Sequence, residues 1–194
     1  MFKNITVGLR GKSPLLMNRY PGELPSEPKA PRGKKTQEHI DLNRKKKWLR
    51  AAYFTNGQFH IPPENLESMM VAGARKNRRG EDFKSSVAVV EDFVPLIGYS
   101  GPEDTKGKEL TGKLEDYYVP DHVDVRGVVI QKARVDACRP IFRHWGIRFT
   151  VSYDSEVIED ADVRRALEKT ALGDFRPRFG RFSIVEFSNG SRSK

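Results

Sequence analysis

FHIPPENLESMMVAGARK, residues 59–76, decides the fold class because the hydrophobic period changes inside it. Phe59-His60-Ile61 is a short strand ended by Pro62-Pro63, and a proline at the first position of a helix costs nothing because that N–H has no intrahelical partner. Leu66, Met69, Met70, Gly73 and Ala74 then fall at i, i+3, i+4, i+7 and i+8. That spacing predicts an amphipathic helix from Pro63 to about Asn77. Arg75, Lys76, Arg78 and Arg79 complement its C-terminal dipole, and Gly80 reads as its stop.

Toward the N-terminus, Phe2, Ile5, Val7 and Leu9 interleave with polar residues or glycine, so Phe2–Arg10 is expected to be a strand with one buried face, ended by Ser13-Pro14. Tyr20–Lys35 carries four prolines and few apolar side chains, which makes it an exposed loop. Thr36 can cap a helix through about Ala52, with Ile40, Leu42, Trp48, Leu49 and Ala52 as a thin stripe of partial burial. Toward the C-terminus, Val87–Val90 and Phe93–Ile97 form a buried strand or a bent pair, followed by the polar stretch Ser100–Lys113. Val125–Ala137 and Ile141–Tyr153 predict two strands around an Arg139-Pro140 break. Asp160 is placed to cap a helix that Gly173 closes, Phe182, Ile184 and Phe187 lie in a last strand, and residues 188–194 read as a disordered tail. The strongest elements run strand, helix, strand, strand, helix, strand. This is an α+β chain in βαββαβ order, a ferredoxin-like, RRM-like palm with insertions at 11–58 and 98–140.

A chain of 194 residues suits one domain with long insertions. Its 35 Lys+Arg against 26 Asp+Glu give a net charge of +9, which points to a polyanionic partner. The single cysteine, Cys138, excludes an internal disulfide framework and a cysteine-based zinc site and fits a reducing compartment. MFKNITVGLR lacks the apolar core of a leader, and no apolar run approaches the roughly 18 residues of a spanning helix. A cytoplasmic, membrane-free protein is the expectation.

Several chemistries fail on spacing. Gly11-Lys12-Ser13 follows a strand, but Thr6 stands where a P-loop needs its first glycine, and Pro14 spoils the helix start. His39, His60, His122 and His144 are scattered without an i,i+4 pair or a cysteine partner, so neither metal nor cofactor is expected. No nucleophile elbow surrounds any serine.

Charge distribution is more informative. Residues 29–50 hold +7 of the net +9, including Lys34, Lys35 and the run Arg44, Lys45, Lys46, Lys47. A helix that only keeps a protein soluble mixes signs for i,i+4 pairing; four cations around one turn favour phosphate. The plain alternative is a solvated helix face. In ALGDFRPRFGRF, residues 171–182, Arg176, Arg178 and Arg181 alternate with Phe175, Phe179 and Phe182, while Gly173 and Gly180 would let the backbone approach a ligand. Guanidinium on phosphate with ring on base is how single strands are held. The competing reading packs phenylalanines under the loop, most clearly Phe182, in phase with Ile184. Arg134, Arg139, Arg143 and His144 form a third basic set near the predicted strand break.

Three segments carry a family resemblance. VGLRGKSPLLMNR (7–19) resembles the first strand and Ser-Pro-Leu turn of the RAMP superfamily of CRISPR-associated proteins, FHIPPENLESMMVAGARK (59–76) its Ile-Pro-led first helix, and LGDFRPRFGRF (172–182) its glycine-rich loop entering the last strand. They cover about 42 residues, in family order. The resemblance implies a non-enzymatic, guide-RNA-binding backbone subunit that oligomerises along single-stranded RNA beside other effector subunits, with 98–140 supplying a thumb-like hairpin. Arg19, Asn65, Arg75, Lys76 and Arg78 complete the expected RNA contacts. Glu67 stands where the family's lysine would meet RNA phosphate, so that contact must come from elsewhere. Some members cleave RNA with an aspartate after the first strand; here only Glu23, Glu27, Glu38 and Asp41 occupy that region, none in a recognisable setting. The other readings are a stand-alone single-strand-binding protein of a phage or mobile element, including one that imitates such a subunit, and a metal-dependent ribonuclease.

Overall fold

The computed structural model describes residues 1–20, 36–130 and 133–189. Its elements are β1 (Phe2–Gly11), β2 (Leu15–Leu16), α1 (Gln37–Ala51), β3 (Phe54–Thr55), β4 (Gln58–Ile61), α2 (Pro63–Arg75), α3 (Gly80–Ser86), β5 (Val87–Val89), β6 (Val94–Pro95), β7 (Ile97–Gly98), β8 (Lys108–Glu109), β9 (Val123–Ile130), β10 (Ala133–Phe142), β11 (Trp145–Asp154), α4 (Asp160–Glu168) and β12 (Phe182–Asn189). The chain is therefore α+β, with four α-helices and several antiparallel sheets among the described residues.

Period-2 alternation builds the main sheet. β1 lies between β12 and β11, and the far edge of β11 takes β5 at Val151–Tyr153 and β7 at Trp145–Gly146. Register places Ile5 opposite Val151, Val7 opposite Phe149 and Leu9 opposite Ile147, all buried. α2 adds Leu66, Met69, Met70 and Ala74 to the same core, and α4 adds Val163, Ala166 and Leu167. The two helices touch so closely that a Cβ on Gly73 would run into the carbonyl of Ala166.

A second sheet is the β9–β10 hairpin, with β2 on the free edge of β10. α1 rests on this hairpin through the buried Trp48, whose Nε1–H donates to the His122 carbonyl at 2.7 Å. Its N-terminus is capped as the sequence predicts, with Thr36 Oγ1 accepting from the His39 N–H. β3, β4 and β6 form a small third sheet.

Four expectations are corrected. β10 runs through Arg139-Pro140 without a break; Pro140 faces Val123 at the last rung of the β9–β10 ladder, where a missing donor costs little. Gly80 opens α3 instead of stopping α2, and the reversal uses Arg78 at φ 61°. Glu159, not Asp160, is the N-cap of α4, which ends at Glu168, before Gly173. Ser188 and Asn189, assigned to the tail, belong to β12. Residues 21–35 and 190–194 lie outside the described residues, among them the rest of the expected tail and the expected loop apart from Tyr20. No described helix is long and apolar enough to cross a membrane.

Candidate nucleic-acid interface

The three segments of the resemblance meet in space. Lys12 N–H donates to Arg181 O at 2.7 Å, Arg181 N–H to Ser13 Oγ at 2.9 Å, Gly180 N–H to Pro14 O at 2.8 Å, and Asp174 N–H to Leu16 O at 3.0 Å. The turn after β1 is thereby fastened to the loop before β12. Gly173 (φ 81°) and Gly180 (φ 70°) are required by this contact, since a Cβ would strike Leu16 O in the first case and Leu172 O in the second. The close approach expected of them toward a ligand is thus an approach to the protein's own backbone.

Leu15–Asn18, Asn65 and Ser68 of α2, and Leu172–Asp174 with Arg176 enclose a cleft of about 210 Å³. Asn18 also lines a neighbouring groove of about 360 Å³ between α1 and the hairpin, where Arg19, Lys47, Arg50 and Arg139 lie. Arg19 and Arg176 are exposed, and Asn65 is half-buried near the start of α2, so the three can face one bound strand.

The remaining sequence candidates separate. Arg44 pairs with Asp136 at 3.0 Å, Lys47 Nζ donates to the Asp136 carbonyl at 2.6 Å, and Lys45 lies 5.8 Å from the Tyr118 ring, while Lys46 is exposed. The run on α1 therefore spends one full charge inside the protein. Arg139 is withdrawn further. Its side chain is only 11% exposed, pairs with Asp174 at 3.3 Å and sits 4.9 Å from the Phe175 ring. Arg178 and Arg181 are exposed. Phe179 is not available for stacking: it is 6% exposed and packed with Leu16 and Ile141. The ring of Phe182 packs half-buried against the core, 6.4 Å from Trp145, as its phase with Ile184 implies.

Arg75, Lys76 and Arg78 sit at the opposite end of α2 from Asn65, about 15 Å away at 1.5 Å per residue, and Lys76 Nζ donates to the Lys169 carbonyl. Arg143 and His144 are exposed in the β10–β11 turn and line a different cleft. Arg134 lies on β10 opposite Val129. Lys34 and Lys35 lie outside the described residues, as do Glu23 and Glu27. Glu67, the departure from the family pattern, accepts the Val89 N–H at 2.9 Å and ties α2 to β5. Asp41 accepts from Gln37 at 3.0 Å, Glu38 is exposed, and among the described residues no three His, Cys, Asp or Glu come together to hold a metal.

One participant escaped the sequence reading: Arg126, paired with Asp124 at 2.7 Å, lies 4.6 Å from the Phe179 ring, and only the two-residue spacing of Asp124 and Arg126 on one strand face hinted at it. Phe175, one of the alternating rings, is 41% exposed and carries Arg139. Burial pushes the Cys138 thiol, between α1 and the hairpin, up to about 11, although Arg44 and Lys47 oppose the shift. Burial lowers the His60 imidazole, and nearby Arg19 adds to that. No protein-family model matches the chain, and no curated protein matches it in sequence.

Proposed function

We propose that the chain is a non-enzymatic, single-stranded RNA-binding subunit of the kind the RAMP resemblance implies, built on a ferredoxin-like palm and repeating along a guide strand. The carrying observation is the convergence of three separate segments on one cleft that shares Asn18 with a cation-lined groove. The palm is supported by the sheet: taken as the four strands of a split βαβ repeat, β12, β1, β11 and β5/β7 stand in the order fourth, first, third, second, with α2 and α4 sharing the core. An RRM-type mode is disfavoured. Bases would stack on rings of the central strands, yet on the face away from the core β1 and β11 present Thr6, Gly8, Arg10, Arg148 and Thr150, with a ring, the exposed Phe2, only at the first residue of β1 and with Arg148 held bidentate by Glu186 at 2.8 and 2.9 Å. Binding would instead run along the groove. Exposed Val125 and Val129 on β9 offer the hairpin a surface for a neighbouring copy.

The test is to co-express the chain with its neighbouring genes, purify it and extract bound nucleic acid. RNA of uniform length supports the guide-strand reading, heterogeneous nucleic acid supports the stand-alone binder, and Arg19→Ala with Arg176→Ala should weaken binding in either case. Unchanged retention by that double variant would overturn the groove.

A further inference from the structure

Unspent positive charge, more than total positive charge, marks a second site. Lys106, Lys108, Arg143 and His144 make no side-chain hydrogen bond, ion pair or ring contact with any described residue, in contrast to Arg44, Arg126 and Arg139. All four line a single cleft of about 700 Å³ between the Gly98–Leu110 segment and the β10–β11 turn. This volume is in the range of small-molecule sites, roughly 300–1,000 Å³. The cleft shares no lining residue with the two described above.

Its chemistry is divided. Leu110 and the half-buried His122 ring, backed at 5.1 Å by the buried Phe142, give it an apolar wall. His122 Nδ1 donates to the Ile141 carbonyl at 3.1 Å, which leaves Nε2 as an acceptor in the neutral ring. Asp104 also lines the cleft, but its carboxylate is committed: it accepts from Ser100 N–H at 2.9 Å, Ser100 Oγ at 3.1 Å and Lys106 N–H at 2.8 Å, which sets the loop that carries Lys106. Asp121 is exposed at the rim and free to accept from a hydroxyl. Against these two carboxylates Lys106, Lys108 and Arg143 leave the cleft a surplus of one positive charge.

Cations for an anion, a flat apolar wall for a ring and a free carboxylate for a sugar hydroxyl are the three requirements of a nucleoside phosphate. We infer that this cleft binds a nucleoside phosphate, with the phosphate on Lys106, Lys108 and Arg143, the base against the His122 ring and Leu110, and a ribose hydroxyl on Asp121. The ligand is either a free nucleotide or one nucleotide of a longer strand.

The experiment titrates AMP, adenosine, inorganic phosphate and the oligonucleotide r(A)12 into the parent, into Lys106→Ala/Lys108→Ala/Arg143→Ala, and into Arg19→Ala/Arg176→Ala. A free-nucleotide site predicts AMP binding at least tenfold tighter than either half alone, weakened at least tenfold by the triple variant and unaffected by the double one. A strand-borne nucleotide predicts that r(A)12, and not AMP, loses at least tenfold in the triple variant. If neither AMP nor r(A)12 responds to the triple variant, or AMP responds but binds no tighter than inorganic phosphate, the inference is overturned. The double variant's effect on r(A)12 reports separately on the groove. All three residues of the triple variant are exposed, and a melting temperature within a few degrees of the parent verifies that it folds.

Discussion

Helix α1 and the 172–181 loop both grip the β9–β10 hairpin, by opposite chemistry. α1 holds it with charge and one indole hydrogen bond: Arg44 and Lys47 on Asp136, Trp48 on the His122 carbonyl. The loop holds it chiefly with ring faces, beside one ion pair, Arg139 with Asp174 at 3.3 Å. Arg126 and Arg139, themselves hairpin residues, lie over Phe179 and Phe175, and Phe179 packs into Leu16 and Ile141. The exposed ion pair of α1 is screened by salt and worth little, whereas buried aromatic area is not screened and is worth much. The loop should therefore be the structural clamp and α1 the adjustable one.

The sharpest way to break that comparison is Phe179→Ala. Transfer and cavity terms predict a loss of about 3–5 kcal/mol, or roughly 6–20 °C in melting temperature for a chain of this size. Phe175→Ala, whose ring is 41% exposed, should cost about 0.5–1 kcal/mol through its lost guanidinium contact. Thermal denaturation of the two side by side decides it; equal losses would mean that the loop's grip does not depend on burial.

Next comes the non-ionic contact of α1. Trp48→Phe keeps most of the ring but leaves the His122 carbonyl without its 2.7 Å donor, which predicts a loss of about 1–3 kcal/mol by urea denaturation. A variant as stable as the parent would show that the indole hydrogen bond contributes nothing to holding α1.

How legible these regions were in the sequence follows from how local their causes are. α2 could be read nearly to the residue because Leu66, Met69, Met70, Gly73 and Ala74, all buried, share one helical face. The alternation of β1 and β11 and the Thr36 cap are equally local. The partners of the cations are not: Asp136 lies 92 residues from Arg44, and only hairpin register brings it under α1. Phe179 is the same case, since its burial depends on Leu16 and Ile141 from distant strands. Alternating Arg and Phe told which residues would separate, not which face would be inward. Of the cleft at Lys106 and Arg143 only Arg143 and His144 stood out, because its walls come from three separate segments, 98–110, 121–122 and 142–144.

The binding role of α1 then acquires a smaller expected size than its charge suggests. Each phosphate contact on a single strand contributes about −0.7 to the log–log salt slope. Arg44→Ala alone should leave the slope unchanged, because Asp136 already neutralises it. Changing residues 44–47 together to Ala should flatten the slope by about 2.1, three contacts at 0.7 each. A flattening near 2.8, with Arg44→Ala accounting for a quarter, would place Arg44 on the strand instead of on the hairpin.

The smallest effect belongs to Asp136→Asn, which tests whether the α1 clamp is adjustable. Arg44 and Asp136 side chains are 33% and 49% exposed, so the pair should be worth at most about 1 kcal/mol, and the loss should vanish in high salt. Cys138 supplies a more sensitive readout than stability. Its thiol is 2% exposed between α1 and the hairpin and is pushed up to about 11 by burial, so at pH 8 only about one part in a thousand is thiolate while α1 is docked. A thiol in the open titrates near 8.5 and is about a quarter thiolate at the same pH. Because the folded pKa lies above the open one, docking of α1 should weaken as pH rises from the open value toward about 11, and alkylation should accelerate over that window. Asp136→Asn should therefore speed iodoacetamide labelling of Cys138 at pH 8 and low salt by several-fold, and high salt should bring the parent to the variant's rate. Equal rates at low salt would mean that Trp48 alone keeps α1 down, and the division between an ionic and an aromatic clamp would fail on the ionic side.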